Sequence, residues 1–262
     1  MRLRPLARSI YYWSYRQGVL AHCRYMDWRL SRADAGEASP IPPAILRFRV
    51  GETTGIGSFV TVGRDTAKAI EAALESIDRP FESFESILDF GCGCGRTLIW
   101  FLRGFPGKRL CGSDVDALSI DWCRTHLKSA EFSLNTSLPP MCYPDGAFDL
   151  VYGISVFTHL CEDDQLRWLT ELHRVVQPGG ILVLSVHGEQ SWNGLAPEDL
   201  ESLQRNGLLF KTSSKLSGIV PDWYHTAYHS REYVLGTFCS LFTLLAYVEG
   251  GLGNQDLVML QR

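Results

Sequence analysis

Three groups of residues have the types and spacing to do chemistry. The first is Leu88-Asp89-Phe90-Gly91-Cys92-Gly93-Cys94-Gly95-Arg96, an apolar run leading into three alternate glycines. Glycine reaches positive φ without a Cβ penalty and lets a ligand approach the backbone closely. A strand, a glycine turn and a helix in succession put that turn at the carboxyl end of the strand, where open α/β sheets bind ligands. Dinucleotide folds space the motif Gly-x-Gly-x-x-Gly, so Gly91, Gly93 and Gly95 argue against a nicotinamide cofactor. The second group is Asp114 and its neighbours, about twenty residues on, at the end of the next apolar run. A carboxylate there can accept two hydrogen bonds from ribose hydroxyls or cap the helix that follows. Asp116 is better placed for the cap. The third group is histidine. His159 follows the run Phe148–Ile154, and His225 and His229 lie in Trp223-Tyr224-His225-Thr226-Ala227-Tyr228-His229. A neutral imidazole can take a proton from an attacking hydroxyl. The structural alternatives are a histidine joining loop to helix at 159, and aromatics packing a sheet edge beside a helix capped by Ser230. The eight cysteines are scattered, and Cys92-Gly93-Cys94 is tighter than zinc spacing with no second pair; no metal is expected.

The elements that must position these residues alternate along the chain. Residues 86–90, 109–114, 132–134, 148–154 and 181–186 read as buried strands. Residues 97–102, 117–128 and 162–176 read as helices, and Pro178-Gly179-Gly180 as a turn. Strands alternating with helices predict βαβ units and a parallel sheet covered on both faces. Residues 244–249 and 257–260 read as two strands joined by a connection too short for a crossover helix, hence antiparallel neighbours. Upstream, a helical pattern runs from Ser58 until Pro80, and Ser39-Pro40-Ile41-Pro42-Pro43 reads as a linker or extended arm. The expected organisation is an extension over residues 1–57 and a catalytic domain over 58–262.

The chain has 262 residues, 45% of them hydrophobic, and a formal net charge of −4. That is long enough to bury a core without disulfides or metal. No apolar run is long enough to span a bilayer, and a slightly acidic chain is a poor general nucleic-acid binder. The start, Met1-Arg2-Leu3-Arg4-Pro5, lacks an apolar signal region, so reduced thiols and a cytoplasmic location are expected. Residues 1–32 depart from the rest. They hold seven arginines and one acid, Asp27, so they carry +6 and leave −10 elsewhere. Tyr11, Tyr12, Trp13, Tyr15, Tyr25 and Trp28 are interleaved, and residues 10–30 are predicted helical. This arm could pack its aromatics on the body, touch an anionic surface, or meet a second subunit. Its composition also suits a transit peptide.

These residues resemble the class I S-adenosylmethionine-dependent methyltransferases. The glycine turn is similar to that family's first motif and Asp114 to its ribose-binding acid. Pro144-Asp145-Gly146-Ala147-Phe148-Asp149-Leu150-Val151 and Val175-Val176-Gln177-Pro178-Gly179-Gly180-Ile181-Leu182 are similar to the stretches before its fourth and fifth strands. The resemblance covers roughly residues 58–262. It implies a doubly wound α/β fold, a seven-stranded mostly parallel sheet ordered 3-2-1-4-5-7-6 with the last strand antiparallel, preceded here by a helical extension. It implies S-adenosylmethionine as cofactor and S-adenosylhomocysteine as product. Asp89, Gly91, Cys92, Gly93 and Gly95 would lie along the methionine part, Asp114 on the ribose, Val115 and Asn135 at the adenine, and Ser155 near the transferable methyl. His159, His225 and His229 are then candidate bases, and Tyr224 and Tyr228 candidate acceptor contacts; a similar Tyr-His-Thr-Ala-Tyr-His run occurs among small-molecule and surface-sugar methyltransferases. The Asp/Asn-Pro-Pro-Tyr motif of nucleic-acid amine methyltransferases, the Pro-Cys of cytosine-C5 enzymes and the acidic hairpin of arginine methyltransferases are absent. The expected activity is methyl transfer to a small molecule, at oxygen of a sugar or other hydroxyl compound. The rivals are a silent cofactor-binding module, a nucleotide-binding oxidoreductase, and a nucleic-acid methyltransferase that uses the basic arm.

Overall fold

The computed structural model describes residues 3–30, 40–220 and 225–262, with side chains from Ser9 onward. In chain order the elements are α1 (Leu3–Leu30), α2 (Ala44–Arg49), α3 (Ile56–Glu75), β1 (Ser86–Phe90), α4 (Leu98–Gly104), β2 (Arg109–Asp114), α5 (Ala117–His126), β3 (Glu131–Leu134) and β4 (Phe148–Gly153). There follow α6 (Glu162–Val175), β5 (Val176–Val186), α7 (Pro197–Asn206), β6 (Leu208–Lys211), β7 (Thr226–His229), α8 (Arg231–Phe238), β8 (Thr243–Leu252) and β9 (Gln255–Gln261).

Seven strands form one sheet in the order β3-β2-β1-β4-β5-β9-β8, and β6 pairs with β7 alone. The first five strands are mutually parallel, while β9 runs antiparallel to both β5 and β8. This is the expected doubly wound order, with β8 and β9 as the sixth and seventh strands of the main sheet. The central strands are apolar on both faces because both are covered. Leu182, Leu184 and Val186 of β5 pack toward Trp168, Leu169 and Leu172 of α6 and Phe238 of α8. Ile181 and Val183 join Ile70 and Leu74 of α3 and Phe101 of α4 on the other side.

Two departures from the sequence reading stand out. Pro178-Gly179-Gly180 lies within β5, because pairing already begins where Val176 meets Phe148, with a register shift before Leu150. Residues 44–49 are helical where a linker or loop was expected. The buried Arg47 of this helix donates through Nε to the Thr54 carbonyl at 2.9 Å and through Nη1 to that of Pro42, so the segment is folded against itself. The helix α1 then docks on it: Val19, Cys23 and Met26 pack with Ala44, Phe48 and Ile219.

Among the described residues, no helix is long and apolar enough to cross a membrane. None of the eight cysteines is in a disulfide.

Candidate active site

The carboxyl ends of β1, β2 and β4 open into a continuous cavity of about 420 Å³. Its floor is the glycine turn. Gly91 and Cys92 donate their N–H groups to the Ser113 carbonyl at 2.8 and 3.0 Å, which ties the turn to β2. Gly91, at φ +78°, has no room for a side chain: a Cβ would come within 2.2 Å of Val156 Cγ2. Gly93, at φ +51°, is covered by Val50 in the same way, at 2.5 Å. Gly95 is a different case. It is not part of the cavity wall, and its missing Cβ leaves room for Leu127 Cδ1, at 2.6 Å, behind the turn. The structure thus makes Gly95 a packing glycine rather than a ligand contact.

Asp114 stands at one side of the floor. Its Oδ2 accepts from Gly93 N–H at 2.7 Å and its Oδ1 from Asp116 N–H at 2.8 Å. Burial raises its carboxyl above the ordinary range, and these backbone donors oppose that. Each carboxylate oxygen retains a second lone pair for a hydroxyl donor. Asp116 caps α5, accepting from Leu118 N–H at 3.3 Å and Ser119 Oγ at 2.8 Å. Val115 and Asn135 line the wall beyond Asp114. Asp89 also lines the cavity, and its buried carboxyl interacts with the buried Tyr152 hydroxyl of β4. Desolvation by burial pushes its carboxyl up to about 8. The thiols of Cys92 and Cys94 are raised by burial too, so they stay protonated and unreactive.

Another part of the wall is built by the connection after β4, by Phe210 of β6 and by His225, the residue before β7. Ser155 adopts φ +58°, a left-handed conformation uncommon outside glycine. It is held there by its N–H to Ser185 Oγ at 2.7 Å and by its hydroxyl against the Gln255 amide. His159 lies in the wall, in the 3-10 turn Phe157–His159. Its Nδ1 is 2.5 Å from the His225 carbonyl. A carbonyl only accepts, so Nδ1 carries the proton and Nε2 is the basic nitrogen. Burial lowers the imidazole to about 4, with the carbonyl acting against it. The His225 ring lines the cavity, its Nδ1 accepting from Ser213 N–H at 3.3 Å and its face edge-on to Phe210.

The other histidine of that cluster is elsewhere. His229 is fully buried outside the cavity, with Nε2 3.2 Å from Gln165 Oε1. Gln165 in turn donates to the Leu160 carbonyl at 3.0 Å, so this pair braces the turn that carries His159. Burial lowers His229 to about 3, and it does not stand where a reacting acceptor would. Tyr228 faces His187, at 5.5 Å between ring centres, and is likewise outside the cavity wall. Tyr224 lies outside the described residues. Among the described residues, no three His, Cys, Asp or Glu side chains converge as a metal ion would need. The sequence reading missed Arg49 of α2 and Val50 just after it, Arg96 and Thr97 before α4, Asp164 and Trp168 of α6, and Phe210 of β6, all in the wall. Only the Pro-rich approach to α2 and the Arg after the glycines stood out in sequence, and neither reveals a contact.

Comparison with known proteins agrees with this geometry. Residues 87–180 match the methyltransferase domain family. The malonyl-[acyl-carrier protein] O-methyltransferase of Hahella chejuensis is 29% identical over 119 residues, 42% of this chain and 42% of that one. The 2-methyl-6-phytyl-1,4-hydroquinone methyltransferase of Synechocystis is 27% identical over 175 residues, 65% of this chain and 49% of that one. The matched stretch is about two fifths of the length of the first curated relatives. In fold, the chain is similar to the Burkholderia thailandensis 1,6-didemethyltoxoflavin-N1-methyltransferase solved with S-adenosylhomocysteine. That likeness has a TM-score of 0.56 at 14% identity and covers 87% of this chain and 93% of that one. A glycine turn at the end of β1, an acid at the end of β2 and the strand order give the chain the doubly wound fold of that structure, and residues 87–180 are similar to the methyltransferase domain family.

Proposed function

We propose that the chain transfers a methyl group from S-adenosylmethionine to a small molecule, at a hydroxyl of a sugar or of another hydroxyl compound. The observation that carries this reading is one continuous cavity joining the glycine turn and Asp114 to His159. The residues suit the cofactor. Asp114 would hold the ribose, Val115 and Asn135 the adenine, and the backbone of Gly91 to Gly93 the methionine part. Asp89, whose carboxyl lines the cavity, would receive the α-ammonium group. When bound, the cofactor supplies a methyl on positively charged sulfur. The protein's own tasks are then to exclude water, align the acceptor and remove its proton. Alignment supplies up to about 7–11 kcal/mol in well-ordered systems. His159, with Nδ1–H committed to a carbonyl and its side chain in the cavity wall, would take the proton of an acceptor hydroxyl at Nε2. An amine acceptor needs no base once neutral, so a poised imidazole favours oxygen. We assign His225 to acceptor contact and withdraw His229 from catalysis. The division into an extension of residues 1–57 and a catalytic body of residues 58–262 belongs to this proposal, amended by the two extension residues in the cavity wall.

Calorimetric titration with S-adenosylmethionine and S-adenosylhomocysteine tests the cofactor site, with Asp114→Ala as control. Transfer of a tritiated methyl group to a panel of sugars, phenols, amines and short nucleic acids tests the acceptor. Binding without transfer to any class supports the silent module instead. Transfer confined to nucleic acid, with affinity falling steeply as salt rises, supports the arm-dependent alternative.

A second reading concerns α1. Tyr11, Trp13, Tyr25 and Trp28 are each half or more exposed on the arginine-rich segment. Aromatic and basic side chains together suit a membrane interface, so we propose that the arm rests on an anionic surface.

A further inference from the structure

We propose that Arg49 is a positioning residue for the cofactor, latching the N-terminal helices and the segment 216–220 onto the ribose end of the cavity. The proposal rests on the cofactor reading above. Arg49 Nη1 is 2.8 and 3.0 Å from the two carboxylate oxygens of Asp116, and its Nε donates to the Ile219 carbonyl at 2.9 Å. Both partners of the ion pair are largely shielded, at 19% and 13% exposure. Asp116 already has its cap bonds to Leu118 and Ser119, so α5 does not need Arg49 to begin. What the guanidinium adds is a tie between three separate parts of the chain: α2, the 216–220 segment and the end of β2.

The tie runs into the site. Asp116 N–H donates to Asp114 Oδ1, and Asp114 Oδ2 accepts from Gly93 N–H. Val50, the next residue after Arg49, covers Gly93 closely enough that no side chain fits between them. Arg49, Val50, Gly93, Asp114 and Asp116 share the cavity wall. Swinging α2 away would therefore uncover the glycine turn and remove a fixed cation from beside the ribose-binding acid. Other contacts load the same latch from outside. Arg16 Nη1 of α1 donates to the Ser217 carbonyl at 3.0 Å, and Lys215 lies 4.7 Å over the Tyr15 ring. A planar guanidinium reaches a carboxylate and a carbonyl at once, which a lysine ammonium does less well.

The test measures the affinity and dissociation rate of S-adenosylhomocysteine for wild type, Arg49→Gln, Arg49→Lys, Asp116→Asn and the Arg49→Gln/Asp116→Asn double variant. Asparagine remains a good helix cap, so Asp116→Asn breaks the ion pair without removing the start of α5. The expected results are a loss of roughly tenfold in Arg49→Gln, as charge-assisted bonds are removed, expressed as faster dissociation. Partial recovery in Arg49→Lys and no further loss in the double variant are also expected. KM for S-adenosylmethionine should rise while kcat at saturation is kept. Wild-type affinity and dissociation rate in both Arg49→Gln and Asp116→Asn would overturn the latch, and so would additive losses in the double variant. If Arg49→Gln fails to fold, Asp116→Asn decides alone. Failure of wild type to bind S-adenosylhomocysteine would instead overturn the cofactor reading, and the latch with it.

Discussion

At the scale of single residues, Asp89 and His159 give opposite pH signatures. Asp89 has its carboxyl raised to about 8, so in the free protein at neutral pH it is mostly protonated. A cationic ammonium beside its carboxyl would restore the charged form. Cofactor binding near pH 7 should then release about one proton. Calorimetry in buffers of different ionisation enthalpy reads this directly, and Asp89→Asn should abolish the dependence. A binding enthalpy indifferent to buffer in wild type would remove the ammonium from Asp89. His159 is lowered to about 4, so its base form persists well below the range of an ordinary histidine. With S-adenosylmethionine saturating, the acceptor's kcat/KM should stay level from neutral pH down to about 5 and fall as pH drops through about 4. His159→Ala should cost ~10²–10⁴-fold in kcat with cofactor affinity kept. A profile that breaks near 6.5, or an alanine variant of full activity, assigns the base elsewhere. Linkage also sets stability. His229, neutral with a folded value of about 3, binds its proton more readily when the chain unfolds. Its contribution is full above about 6.5 and is lost as pH falls toward 3.

At the scale of elements, cofactor geometry and plain stability are separable by two substitutions. Gly91→Ala must carry a Cβ at φ +78° and 2.2 Å from Val156. The left-handed backbone alone costs about 1–2 kcal/mol, and relief of the clash must move the floor of the site. Ser230 caps α8, accepting from Tyr233 N–H at 3.1 Å, and its loss should cost ~1 kcal/mol in a helix away from the cavity. Denaturant titration should show both variants destabilised, while S-adenosylhomocysteine affinity falls only for Gly91→Ala. Equal affinity in both would mean that the turn tolerates displacement and does not shape the ligand. The sheet and its glycine turn were legible because buried parallel strands are apolar runs and their breaks are glycines, as in Leu88-Asp89-Phe90-Gly91. Asp114 was legible for the same reason, as the acid ending such a run. His229 was not, because four residues of extended strand put it about 13 Å from His225, a separation that adjacency in sequence conceals. Arg49 was not legible either. A six-residue helix, α2, is too short for periodicity, and its partner Asp116 is brought near only by the tertiary fold.

At the scale of the whole molecule, charge is divided between an arm of +6 and a remainder of −10. Part of that arm is spent inward, since Arg16 bonds Ser217 and Val19, Cys23 and Met26 are packed against α2. The outward face still presents Trp13 and Trp28 at 59% and 50% exposure, with Arg24 and Arg29 between and beyond them. Basic residues near an anionic bilayer contribute roughly 1 kcal/mol each, and interfacial aromatics add apolar anchorage that salt does not screen. Sedimentation with phosphatidylserine-containing vesicles should therefore capture the protein at low salt and release most of it at high salt, with little capture by phosphatidylcholine alone. Trp13→Ala/Trp28→Ala should weaken the salt-resistant fraction without changing cofactor affinity, because neither residue reaches the cavity wall. Indifference to vesicle charge would sink this reading. A concentration-dependent dimer, seen by light scattering and abolished by Arg24→Glu/Arg29→Glu, would assign the arm to the acidic body of a second copy. The two outcomes lead to different acceptors: an arm on a membrane holds the cavity near membrane-attached hydroxyl compounds, whereas an arm on a second subunit leaves the site to compounds free in solution.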